Sequence, residues 1–250
     1  MSTTTETDAR PMPGSREEAS GTADDGVATA QPTLSIPHYA QTLDFTCGPS
    51  SLIMAMKALQ PEMAVDRALE LQLWREATYI FSRGGSGHGG CGPYALALAA
   101  DRRGFAAQVH VSHPDLFLES RIRHPVRRGV RLLLQETDIA DLRQRGIPLH
   151  YRIPDLPEIE QRLAEGWIPI VLVSTFYVHG DHVAHWVVLT GFDAESVHIN
   201  DPWVDRAKGK VPQDMTHLRI PRRDFDGMAR YGRHRERAVV LIGRPRPGSS

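Results

Sequence analysis

The chain has 250 residues, enough to bury one substantial core with at most a small subdomain beside it. Its 29 basic and 30 acidic residues nearly cancel, so global charge points to neither nucleic acid nor a membrane surface as a partner. Cys47 and Cys91 are the only cysteines, which excludes a disulfide framework and suits a reducing compartment. No apolar run approaches the length of a membrane span, and no basic segment leads into a hydrophobic one at the N-terminus, so cytoplasmic residence is expected.

Residues 1–33 are rich in Ser, Thr, Ala, Gly, Asp, Glu and Pro, and hold hardly any large apolar residue. Such a segment cannot bury enough surface to offset chain entropy and reads as a disordered tail. Structure is expected to begin near Leu34-Ser-Ile-Pro-His-Tyr39, an extended lead-in to Gln41. Leu52, Ile53, Met56 and Leu59 then share one face and predict a helix over 49–59. Pro49 suits its first turn, where a missing N–H has no partner to lose. Cys47 is thereby placed at a helix N-terminus, where the dipole and unpaired N–H groups stabilise an anion. A thiol held there is a better nucleophile at neutral pH. The bland alternative is a small buried hydrophobe, the usual role of a free cysteine.

A second helix is expected over 63–76, with Ala64, Ala68, Leu69, Leu73 and Trp74 facing inward. After a glycine-rich loop at 84–90, a third runs over 93–103 and stops at Gly104. Phe105–Val111 reads as a strand, 125–146 as two short helices with the second over 138–145, and 157–165 as a helix closed by Gly166. The period then changes, and 168–175, 183–192, 196–199 and 238–242 read as strands. Strands so close in sequence favour antiparallel pairing. Helices first and sheet second make an α+β fold, with 34–243 as one domain and 244–250 as a frayed end.

His185 begins the run His-Trp-Val-Val-Leu-Thr-Gly-Phe, and the next strand ends in Asn200-Asp201-Pro202-Trp203. If the two strands form a hairpin, His185 and Asp201 meet side by side, with the carboxylate orienting the imidazole and the other ring nitrogen facing Cys47. That is a nucleophile, base and orienter arrangement for acyl transfer through a thioester. Singly, each residue has an ordinary structural reading; the set is more specific than its members.

The loop Gly84-Gly-Ser-Gly-His88-Gly-Gly90-Cys91-Gly-Pro93 repeats the Cys-Gly-Pro helix opening. Three roles are open to Cys91: a structural cysteine, a residue of the substrate cleft with His88 and Gly90, or a nucleophile or metal ligand. His88 and Cys91 alone lack the four ligands of structural zinc, though Cys47 or His179 would extend them. No Gly-Lys-Ser/Thr follows the glycines, so this is not a Walker phosphate loop. His182 and His185 face opposite sides of a regular strand and share no metal site without a bulge. Trp74, Trp167, Trp186 and Trp203 read as core or cleft-wall aromatics, with Trp186 assigned to the cleft.

Gln41-x5-Cys47-Gly-Pro opening a helix, then the His185 strand, then Asn-Asp-Pro-Trp, resembles the papain-like cysteine peptidases. Within them the chain is most similar to the bacteriocin-processing double-glycine peptidases, family 39 of the cysteine peptidases, and to a stand-alone bacterial peptidase-like subgroup. The likeness spans most of residues 35–243. It implies a helical lobe carrying the nucleophile and a sheet lobe carrying the base. It also implies Cys47 as nucleophile, His185 as base and acid, Asp201 as orienter and Gln41 as oxyanion donor with the Cys47 N–H. No metal or cofactor is expected, and the partner expected is a peptide or protein substrate. Members that cleave after Gly-Gly are joined to ABC transporters; this sequence shows no such portion, so a double-glycine leader is not the expected substrate. The rival readings are an acyltransferase using the same residues, a non-catalytic peptide-binding module of the same shape, and a zinc protein.

Overall fold

The computed structural model describes residues 35–245, apart from 80, 83–84, 87–88 and 123. The expected tail at 1–33 and the chain beyond Pro245 lie outside the described residues. The first half carries α1 (Cys47–Leu59), α2 (Arg67–Ala77), the two-residue strands β1 (Phe81–Ser82) and β2 (Gly85–Ser86), and α3 (Pro93–Asp101). Then come β3 (Phe105–Val111), α4 (Pro125–Gln144), β4 (Leu149–His150) and α5 (Leu156–Ala164). The second half holds β5 (Ile168–Ser174), α6 (Phe176–His179), β6 (Ala184–Phe192) and β7 (Ser196–Asn200). It ends with β8 (Leu218–Pro221), α7 (Arg222–Met228) and β9 (Ala238–Pro245). The architecture is α+β, as expected.

Seven strands form one sheet in the order β4-β3-β9-β5-β6-β7-β8, antiparallel throughout except for β3 with β4. β3 and β4 come from the helix-rich half, so the two halves are joined through the sheet as well as through helix packing. The last strand slots between β3 and β5 and reaches Pro245, which takes Arg244 into the sheet.

Side-chain alternation along the strands feeds two cores. Ile168, Ile170, Leu172, Trp186 and Val188 face α1, α2 and α3, whereas Val171, Val173, Val187, Leu189 and Val197 face α5 and α7. Because both faces are covered, β5 is buried at all seven positions and reads as a continuous apolar run. α1 lies between this sheet and α2 and α3, so all its residues except Lys57 and Leu59 are buried.

Two helices depart from the sequence pattern for one reason. In α2 the buried positions are Glu70, Leu73 and Ala77, while Ala64 and Ala68 are exposed. The helix starts at Arg67 behind Asp66, whose carboxylate accepts from Leu69 N at 2.8 Å. The expected pair of helices at 125–146 is one helix, α4, and its buried stripe is Arg131, Gln135, Ile139 and Leu142. Gln135 bridges Phe117 N and Asp115 O, and Arg131 donates to Phe117 O at 3.0 Å. Polar residues occupy the inward stripe in both helices, which hides the stripe from an apolar count.

β3 also carries a polar residue inward. His110 is 6% exposed, stacks on His150 with ring centroids 4.5 Å apart, and has Nδ1 3.3 Å from Arg152 O. Burial, then His150 beside it, lowers its pKa to about 4. The unfolded chain therefore binds more protons between about pH 4 and pH 6.5, and stability falls as pH drops through that window. Thermal melts should show wild type losing up to about 3 kcal/mol of stability from this group between pH 7 and pH 4, at about 1.4 kcal/mol per unit. His110→Phe should lose correspondingly less over the same range.

Candidate active site

The sulfur, the imidazole and the carboxylate lie on three elements. Cys47 is the first residue of α1, so its N–H is one of the four that a helix leaves without an intrahelical acceptor. One turn on, Ser51 donates from Oγ to Trp186 O at 3.0 Å, beside His185 in the chain. This bond fixes the start of α1 against the start of β6, and it brings Cys47 near enough to His185 to favour the charged form of the ring. On the far side of the ring, His185 Nε2 donates to Asp201 Oδ1 at 2.7 Å. Asn200 pairs with Val188 across the β6–β7 hairpin, so Asp201 emerges just past the ladder, toward the start of β6. The hairpin geometry expected from the sequence is the one found.

His185 is 5% exposed and Asp201 fully buried. Desolvation would discharge both groups, but it is outweighed. Asp201 and Cys47 hold the His185 imidazolium well above the ordinary histidine range, and His185 with His179 holds the Asp201 carboxyl well below the carboxylate range.

Asp201 has more partners than the sequence suggested. His179, at the end of the four-residue helix α6, donates from Nε2 to Oδ2 at 2.9 Å. Trp203 N donates to Oδ1 at 2.8 Å, and His38 Nε2 reaches the backbone carbonyl at 2.7 Å. Sequence reading considered His179 as a further zinc ligand and did not assign His38; their spacing along the chain carried no signal of this convergence. His182, by contrast, stacks on Phe176 at 4.5 Å, away from the carboxylate cluster.

Gln41 is tied to the same region through its backbone, which donates to Pro202 O at 2.9 Å. Asn200 Nδ2 bonds Ile36 O at 3.1 Å, so the 36–41 lead-in is laced to the end of β7. The Gln41 side chain gives one amide proton to Leu43 O at 2.7 Å, which leaves its second. A cleft of about 410 Å³ lies between segments 41–44 and 203–207.

The residues assigned to the substrate cleft fare differently. Cys91 is 3% exposed, and burial and then the nearby Cys47 push its thiol well above the ordinary cysteine range. Its Cβ packs where a side chain on Gly48 would sit, 2.9 Å away, which explains the glycine after Cys47. Trp186 is 2% exposed and donates from Nε1 to Cys91 O at 3.0 Å. Neither side chain is presented to a ligand; both are core, and this corrects their assignment to the cleft. Gly90 is exposed and accepts from Tyr79 N at 2.9 Å. His88 lies outside the described residues. Gly89 and Gly92 are glycines because Tyr79 fills the space a Cβ would need, with its own atoms 2.1 and 2.5 Å from those positions. Among the described residues no group of three or more His, Cys, Asp or Glu is placed to hold a metal ion. No helix among them is long and apolar enough to cross a membrane.

A sulfur beside an imidazole that is itself hydrogen-bonded to a carboxylate is what nucleophilic acyl transfer by a thiol requires. Among solved structures, the chain is similar to the peptidase domain of Streptococcus ComA, a bifunctional ABC transporter (12% identity, TM-score 0.42, 84% of this chain and 99% of that one). It is also similar to a double-glycine-motif protease from an AMS/PCAT transporter (16% identity, TM-score 0.41, 87% and 96%). A protein of Bacillus anthracis described as a C39-like peptidase gives 17% identity, a TM-score of 0.46, and coverage of 84% and 96%. No curated protein matches the chain. The model of the Peptidase C39-like family matches residues 36–243, and the chain belongs to that family.

Proposed function

We propose that this protein is a cysteine peptidase that cleaves a peptide or amide bond through a thioester on Cys47. One observation carries the reading: the His185 ring is hydrogen-bonded to Asp201 at 2.7 Å and lies close enough to Cys47 for the sulfur to favour its charged form. Cys47 attacks the carbonyl carbon as the thiolate, the reactive form of the residue. The developing oxyanion is held by the Cys47 N–H and the second amide proton of Gln41. His185 gives its proton to the leaving amine, then takes one from the water that hydrolyses the thioester. Asp201 orients the ring and stabilises its charged form. The cleft between 41–44 and 203–207 borders Gln41 and supports approach of a peptide or protein substrate along that side. Both thiols are free, in keeping with a reducing, cytoplasmic setting.

An electrophilic peptide probe followed by mass mapping should label Cys47 and leave Cys91 unmodified in the folded protein. Cys47→Ala should abolish turnover of activated amide substrates. Labelling at Cys47 no faster than at a free thiol would mean a binding module instead. Release of the acyl group by an added amine faster than by water would mean a transferase.

Asp201→Asn should lower kcat/KM by about 10²- to 10⁴-fold, the range expected when a catalytic imidazole loses its orienting carboxylate. Stability follows from the two shifts. His185, raised in the fold, contributes below about pH 6.5 and loses that contribution as pH rises through its folded value; Asp201, lowered, contributes above about pH 4 and loses it as pH falls. Melting curves should therefore separate wild type from Asp201→Asn most between about pH 4 and pH 6.5, with the gap narrowing in alkaline buffer.

A further inference from the structure

We infer that Glu70 is a positioning residue for this chemistry: its buried carboxylate clamps the 41–46 turn and so aims the Gln41 amide at the helix end that carries the sulfur. The inference rests on the reading of Gln41 as oxyanion donor given above.

Glu70 is fully buried in the first turn of α2. Its Oε1 accepts from Thr42 N at 2.8 Å, from the Thr46 hydroxyl, and from Ser50 Oγ at 3.4 Å. Its Oε2 accepts from Tyr39 OH at 3.1 Å. All four partners are neutral donors, and none lies on α2. They come from the segment that contains Gln41, the residue before Cys47 and the first turn of α1. A carboxylate with no donor of its own matches a convergence of four donors, which an apolar side chain of that size would leave unsatisfied.

The consequence for Gln41 is specific. Its own N–H is fixed on Pro202 O, and the next N–H in the chain, that of Thr42, is fixed on Glu70. Thr46, which precedes the nucleophile, is bonded to the same carboxylate and accepts from Leu43 N at 3.3 Å. The donor and the sulfur therefore share one buried anchor on a third element. Proximal hydrogen bonds within the turn do not replace it, because they hold Leu43 to Thr46 without referring either to α2.

The test separates a reaction that develops an oxyanion from one that does not. Acylation by a chromogenic ester builds negative charge on oxygen; alkylation by iodoacetamide displaces iodide from carbon and does not. In Glu70→Gln, acylation of Cys47 should fall 10- to 100-fold through kcat, with KM little changed, since complete loss of an oxyanion donor costs about 10²- to 10³-fold. Alkylation at Cys47 should stay within about twofold of wild type, because it develops no oxyanion for Gln41 to hold. Gln41→Ala should give the same signature, and the double variant should be no slower than Gln41→Ala alone, as expected for residues acting through one contact. Thr46→Val, which removes one donor and leaves Glu70 intact, should give a smaller effect of the same kind and serves if Glu70→Gln does not fold.

Equal acylation in wild type and Glu70→Gln, or a joint fall of acylation and alkylation in Thr46→Val, would overturn the inference. If Gln41→Ala slows acylation and neither Glu70→Gln nor Thr46→Val does, the Glu70 role alone fails. If wild type alkylates at Cys47 but never acylates, the peptidase reading itself fails.

Discussion

The hydrogen-bonded carboxylate of Asp201 is the constraint on which the rest of the site depends. It is fully buried and accepts from two imidazoles and a backbone N–H, while its own carbonyl takes a third imidazole. A buried charge survives only when its lone pairs are filled, and here the donors that fill them come from α6, β6 and the segment just after Asp201, while the lead-in holds its backbone. Stabilising this one residue thus requires that α6, β6 and the lead-in all be in place around it. The folding problem and the placement of His185 are the same problem.

The sheet supplies the frame for this convergence. β9 inserts between β3 and β5, so the central strands are covered on both faces and cannot shift register without exposing one of two cores. β6 lies within that frame, and α1 is fastened to it by the Ser51 bond to Trp186 O. Cys91 and Trp186 add to the fastening from below, with Gly48 as the gap that lets them approach. Residues that resembled cleft furniture in the sequence are what hold the nucleophile's helix to the sheet.

How much was legible follows from how local each signal is. Cys-Gly-Pro at a helix start, the β6–β7 hairpin and the Asp-Pro that ends it are local patterns, so the fold class and the meeting of His185 with Asp201 could be read directly. The inward faces of α2 and α4 could not, because Glu70, Arg131 and Gln135 occupy positions where an apolar residue is expected. The bonds of His179 and His38 to Asp201 were unreadable for a related reason: each depends on a partner 22 or 163 positions away along the chain. Buried polar residues satisfied at long range are where pattern reading fails.

α1 is buried on nearly every side, and this has a bearing on how such a protein diversifies. A nucleophile mounted on an immobile core element needs little rearrangement before reaction, which is the condition for preorganised electrostatics. It also bars the helix from adapting to new ligands. Novelty must then accumulate at the rim, at exposed cleft positions such as Arg206 and Ala207, while the reacting atoms stay put.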